Sequence, residues 1–165
     1  MFKYDEDNKR FYPYENLASH LIGFCGTDNQ GLEGIEASFN NILTGRSGKI
    51  ITTIDLNNSE ISDNHATYVE VENGNDVYLT IDANLQRIAE DALEANIMKI
   101  REGGFGKQYD ADGGSVIVTS VKTGEVLAMA SYPDYEPSYF YDGISTEQWR
   151  EYSTNPYKPL TNNFH

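Results

Sequence analysis

Cysteine is almost absent from this chain: Cys25 stands alone among 165 residues. No intramolecular disulfide can form, and the apolar setting of Leu21 to Gly26 favours a plain buried thiol. Positive charge is scarce too. The chain carries 12 Lys and Arg against 26 Asp and Glu, a net charge of −14. That argues against nucleic acid and anionic membrane surfaces as partners, because binding phosphate needs Lys and Arg. The acidic residues are spread along the chain, the pattern of a solvated surface. No apolar run approaches the ~18 residues of a membrane span, and the N-terminus does not read as a signal peptide. There is no internal repeat. His20, His65 and His165 are scattered, and none lies at ligand spacing from a cysteine or a carboxylate cluster. No metal or other cofactor is therefore expected. Also missing are a Gly-x-Ser-x-Gly elbow, a phosphate loop and any Ser-x-x-Lys.

What is present is organised around Val77 to Glu102. This stretch reads as a strand start followed by the longest helix in the chain. Leu85, Ile88, Ala89, Ala92, Leu93, Ile97 and Ile100 fall at the spacing of one helical face. Asp82 is placed to cap the first turn with its carboxylate. Arg87 and Asp91 can pair at i,i+4. Lys99 and Arg101 suit the negative end of the helix dipole, and Gly103-Gly104 stops the helix. Such a helix is roughly 30 Å long.

Before it, residues 2–12 alternate weakly, as strand, polar turn and strand. Residues 16–21 have room for one or two helical turns, and 22–25 for a short strand. Gly26 to Gly31 is a polar loop. Leu32 to Leu43 reads as one helix, with Ile35, Phe39, Ile42 and Leu43 inward and Gly45 as its stop. Lys49 to Leu56 alternates as a strand, and 57–64 is polar loop. Residues 66–72 and 76–81 flank Asn73-Gly74, which predicts a hairpin because Asn-Gly accepts positive φ.

After the helix, Gly103 to Gly114 is a connector. Residues 115–121 and 125–131 form a second predicted hairpin through Lys122-Thr123-Gly124, with Gly124 in the left-handed position. Both strands are apolar on both faces, which predicts a sheet covered on both sides, one cover being the long helix. Residues 132–143 form an aromatic, Pro-broken loop. Ser145 to Gln148 reads as a capping box for a short helix carrying Trp149. The predicted fold is α+β: a lobe of short strands and helices, 1–76, joined through the long helix to a second part, 77–165.

Few residues suggest chemistry. Glu33 and Glu36 share a helix face at i,i+3. They could be an acid/base pair, or one could anchor a neighbouring loop while the other is solvated; the second reading is preferred. Lys122-Thr-Gly124 and Ser153-Thr-Asn155 match tripeptides of penicillin-interacting serine enzymes. Here the first is a turn with no nucleophile before it, and without a serine and its lysine no acyl-enzyme can form.

The surrounding residues carry more. Arg10-Phe-Tyr-Pro13, Ala18-Ser-His-Leu-Ile-Gly23, Gly31-Leu-Glu-Gly-Ile-Glu36 and Leu43-Thr-Gly45 resemble the N-terminal pedestal of class B penicillin-binding proteins. Asp76-Val-Tyr-Leu-Thr-Ile-Asp82 with Leu85-Gln86 resembles that family's entry into its transpeptidase domain. Gly113 to Thr119, Lys122 to Pro133 and Pro159 to Asn162 continue the resemblance in order. It covers nearly the whole chain and points to the cell-division and sporulation transpeptidases.

The resemblance implies a pedestal, or dimerisation domain, over 1–76 and the start of a transpeptidase domain over 77–165. In the family a membrane anchor and the opening strands of the pedestal come before the matched region. Its Ser-x-x-Lys comes shortly after a segment like Pro159–Asn162. The implied role is structural and interactional, within an enzyme that cross-links peptidoglycan stem peptides on the extracytoplasmic face and is acylated by β-lactams. Implied partners are other cell-wall synthesis or divisome proteins through the pedestal. Self-association is possible, and membrane contact would come only through the anchor. The structural residues expected are Arg10, Glu33, Glu36, Asp82 and Gly124, with Arg10 meeting Glu36 or, failing that, Glu33. Two rivals stand beside this reading. One is an independent module binding cell-wall glycan on the Tyr-rich loop 132–141. The other, a β-lactamase-type hydrolase, is nearly excluded by the missing nucleophile.

Overall fold

The computed structural model describes residues 9–51 and 67–164. The predicted segments over 2–8 and 52–66 lie outside the described residues. The fold is α+β: short helices, one long helix and two antiparallel two-stranded sheets.

The N-terminal part holds α1 (Ser19–Ile22), α2 (Gly34–Ser38), α3 (Asn40–Leu43), β1 (Lys49–Ile51) and β2 (Thr67–Val69). Leu32 to Leu43 is thus not one helix. It breaks at Phe39, whose φ of −109° and ψ of 16° leave helical geometry. The expected apolar face is not the buried one either. Phe39 and Ile42 are exposed, and the buried residue of α2 is Glu36. Residues 22–25 make no strand beyond a single bridge from Cys25 to Gly31.

Asn73-Gly74 is not a hairpin turn. β2 pairs back to β1, Ile50 opposite Tyr68, and a further bridge joins Arg46 to Glu72. The Asn75 amide then donates to the Ile42 carbonyl, 2.9 Å away. A Cβ on Gly74 would lie 1.8 Å from the Leu43 carbonyl oxygen. Gly74 is there because the end of α3 touches its backbone.

α4 (Ala83–Arg101) begins as the sequence predicts. The Asp82 carboxylate accepts from the amides of Asn84 and Leu85, each 2.9 Å away. Lys99 and Arg101 lie in its last turn, and Gly103 has φ of +78°. β3 (Gly114–Thr119) and β4 (Val126–Tyr132) form the second sheet, with Val116 opposite Ala130 and Val118 opposite Ala128. Ala89, Ala128 and Ala130 are its buried centre, joined by Leu85, Leu93, Val116 and Val118. Small side chains on β4 let the helix lie close on the strand, where dispersion contacts are dense.

The other face is not covered in the way predicted, since Ile117 is 54 % exposed. The buried stripe of α4 is also rotated from the predicted one. Ile88 is 63 % exposed, while Gln86 is fully buried. α5 (Ser138–Tyr141) follows, then α6 (Thr146–Thr154), whose Ser145 and Gln148 form the predicted capping box.

Candidate functional site

Two clusters link parts of the chain that are distant in sequence. The first lies within the N-terminal part. Arg10 Nε donates to Glu36 Oε1 at 2.7 Å, and its Nη2 donates to Oε2, a bidentate pair. Cys25 Sγ–H donates to the same Oε2 at 3.3 Å, and the Cys25 amide donates to the Tyr12 hydroxyl at 3.1 Å. Glu36 is buried, so its charge needs these donors. With three donors on one carboxylate, Glu36 is an anchor that ties residues 10 and 25 to α2, not a free general base. Its hydrogen bond and charge raise the Arg10 pKa, while burial, and then Glu36 itself, push the Cys25 thiol up. Glu33 precedes α2 as its N-cap residue, makes no side-chain cap and is exposed.

A cleft of about 390 Å³ lies beside this cluster, lined by Arg10, Asp28, Leu43, Arg46 and Glu72 among others. Among the described residues no group of three or more His, Cys, Asp or Glu side chains is placed to hold a metal.

The second cluster is the joint between the N-terminal part and the α4–β4 layer. Phe24 stacks on Phe140 with ring centroids 3.9 Å apart. Tyr135, 2 % exposed, stands edge-on to His20, Phe24 and Phe140 at 4.9, 5.8 and 5.7 Å. Its hydroxyl donates to the Ser19 carbonyl at 3.1 Å. His20 Nε2–H donates to the Pro133 carbonyl at 3.0 Å, which fixes the neutral tautomer; burial lowers the His20 pKa. Alongside, Asn16 Nδ2 donates to Asp134 at 2.8 Å and the Ala18 amide donates to Glu90 at 2.8 Å. Ala18 has φ of +55°, in the left-handed region that alanine rarely enters.

Asp82 and Gly124 sit at the far side of the sheet. Asp82 caps α4, and its amide donates to the Leu127 carbonyl. Gly124 has φ of +79°, and its amide donates to the Ser120 carbonyl, closing the Lys122-Thr-Gly turn. The structure thus brings Arg10 and Glu36 together and leaves Glu33, Asp82 and Gly124 apart from them.

Sequence reasoning missed Gln86, Glu90, Tyr135 and Asp134. The signal for the first two was available: two polar residues at i,i+4 on the face of α4 adjoining the core.

The first cluster holds the N-terminal part together, and the second ties it to the α4–β4 layer. Residues 2–79 match the family described as the Penicillin-binding Protein dimerisation domain. The chain is 37% identical over 133 residues to the peptidoglycan D,D-transpeptidase FtsI of Escherichia coli strain K12, covering 81% of this chain and 21% of that protein. It is 35% identical over 133 residues to stage V sporulation protein D of Bacillus subtilis, covering 81% of this chain and 19% of that protein. Among solved structures, the complex between penicillin-binding protein PBP2 and MreC from Helicobacter pylori matches with a TM-score of 0.64 and 30% identity, covering 94% of this chain and 29% of that one. The chain spans about a fifth of the length of these two curated relatives. An alignment of 133 residues cannot be contained in residues 2–79, so the relationship runs on past the pedestal. Among the described residues, no helix is long and apolar enough to cross a membrane.

Proposed function

We propose that this chain is the pedestal and the opening of the catalytic domain of a peptidoglycan D,D-transpeptidase. Residues 1–76 form the pedestal, and 77–165 begin the transpeptidase domain. The chain's own task is mechanical and interactional. It holds the catalytic sheet at a fixed attitude and offers the pedestal to other proteins of cell-wall synthesis, on the extracytoplasmic face of the membrane. The observation that carries this reading is the joint, where the pedestal's Phe24, His20 and Asn16 lock onto Phe140, Tyr135 and Asp134. A segment that only tethered would not need so dense a contact. A relative, PBP2 of Helicobacter pylori, was solved in complex with MreC, which supports a protein partner for the parent enzyme.

The glycan-binding rival needs tyrosine faces open to solvent. Tyr135 and Tyr141 are buried and Phe140 is stacked on Phe24, which leaves Tyr139 as the exposed ring of that loop, too little for a stacking platform.

A chimera tests the proposal. Residues 1–165 replace the matching region of the Bacillus subtilis relative, and the product is incubated with a fluorescent penicillin. The isolated chain should take no label, since no serine in it has a lysine three residues on. The folded chimera should be acylated at a rate near that of the parent. A folded chimera that cannot be acylated would reject the reading.

A further inference from the structure

The joint contains two carboxylates that no catalytic or capping role explains. Glu90 comes from the middle of α4 and Asp134 from the segment after β4. Both are half-buried, and both point at one short stretch of the pedestal. Glu90 Oε1 accepts from the Ala18 amide at 2.8 Å and from Gln86 Nε2 at 2.7 Å; Asp134 Oδ2 accepts from Asn16 Nδ2 at 2.8 Å. Positions 16 and 18 are the approach to α1, and Ala18 is held there at φ of +55°. We propose that Glu90 and Asp134 form a latch on residues 16–18 of the pedestal that tightens as the medium becomes more acidic.

The electrostatics follow from what surrounds the two groups. Asp134 faces Glu90 and Glu94 on α4, and the contacts that favour its charged form are the uncharged Asn16 amide and a hydrogen bond from its own backbone. Burial first, then these like charges, push its pKa up to about 6. Glu90 is raised as well, mainly by burial; Asp91 adds to the rise, and the Gln86 and Ala18 hydrogen bonds and Arg87 oppose it. A proton on Asp134 removes one charge from the cluster and leaves a carbonyl oxygen that still accepts from Asn16. The closed joint keeps that proton between about pH 4 and 6, where a solvated aspartate releases it. The latch is therefore strongest below this range and loosens as pH rises through about 6. His20, across the joint, acts the other way: its lowered pKa makes acid unfavourable to the closed form. Only a measurement local to Asp134, or a comparison lacking its charge, isolates the latch.

The test is nuclear magnetic resonance on the chain. The Asp134 side-chain carboxyl carbon is titrated, and exchange of the Ala18 amide is followed from pH 7.5 to 5.5, corrected for intrinsic rate, in the wild type and in Asp134→Asn. The Asp134 carbon should titrate near pH 6. Ala18 protection in the wild type relative to the variant should rise about fourfold over that range, the linkage expected for a pKa of about 6 closed and about 4 open. Parallel pH profiles in the two proteins would overturn the latch. So would an Asp134 midpoint near 4 in the folded wild type, a readout that stands even if the variant fails to fold.

Discussion

The buried amide of Gln86 is bonded twice to the backbone of Met129, donating to its carbonyl at 2.9 Å and accepting from its amide at 2.7 Å. A side chain here does what a neighbouring strand would do. Thr80 Oγ1–H adds a hydrogen bond to the Val126 carbonyl and the Asp82 amide one to Leu127. At the other end the Asn163 side chain donates to the Tyr132 carbonyl. The outer edge of β4 is thereby closed by the chain itself, in part by its C-terminal segment. An unpaired edge invites association, and these contacts blunt it.

Gln86→Leu should be strongly destabilising despite its near-equal volume. It leaves both polar groups of Met129 without their partner, and each such buried group costs about 1–3 kcal/mol. We expect a total of about 2–4 kcal/mol by urea denaturation, with an unchanged slope. A loss below about 0.5 kcal/mol would show that water replaces the amide at no cost.

Arg10→Ala should cost about 2–4 kcal/mol, because it leaves Glu36 buried with its charge unpaired. Pairing Arg10→Met with Glu36→Met should recover part of that loss, since neither charge then remains. The check is a double-mutant cycle in thermal or chemical unfolding. Strictly additive effects would mean that the two residues act separately.

The Lys122-Thr-Gly turn separates a required residue from an incidental one. Lys122 is exposed, and Lys122→Ala should change stability by no more than about 0.5 kcal/mol. Gly124→Val should cost about 1–2 kcal/mol, because a β-branched residue resists φ of +79°. Nothing else lies within 4 Å of a Cβ at that position, so conformation alone sets the penalty. Equal, small effects for both variants would contradict the turn.

Cys25 should react slowly. It is buried, and burial together with Glu36 raises its pKa, so the thiolate that attacks reagents is scarce. At pH 8 a thiol reagent should label the folded chain on the order of a hundredfold more slowly than the urea-unfolded chain. The folded thiol keeps its proton where the unfolded one loses it. Its contribution is complete below the ordinary thiol range and falls as pH rises through it. Rapid labelling of the native chain would place the thiol at the surface.

Local chemistry made several elements legible in advance. Asp82 caps α4 because a carboxylate beside free amides needs no tertiary help, and Gly124 takes positive φ because the two-strand pattern around it leaves no other place for the reversal. The Ser145–Gln148 capping box is local in the same sense. The pedestal motifs from Arg10 to Gly45 were legible through their order, not through any single residue.

What only tertiary structure decided involves partners far apart in the chain. Asn73-Gly74 has the propensity of a hairpin, but Gly74 is used against the Leu43 carbonyl and β2 pairs with β1 instead. Ile88 fits the apolar period of α4, yet Gln86 is the buried residue, because the β4 edge offers an amide and a carbonyl that an isoleucine cannot satisfy. Glu36 is buried because Arg10 and Cys25 arrive from loops to meet its charge. Burial first, and then Glu90 and Glu94, which lie 44 and 40 residues earlier in the chain, raise the pKa of Asp134. Sequence determined the Asp82 and Ser145 caps, the Gly124 turn and α4, since each depends on neighbours close along the chain. Tertiary structure decided which polar groups are buried, since their cost is offset only by partners that folding brings within hydrogen-bonding distance.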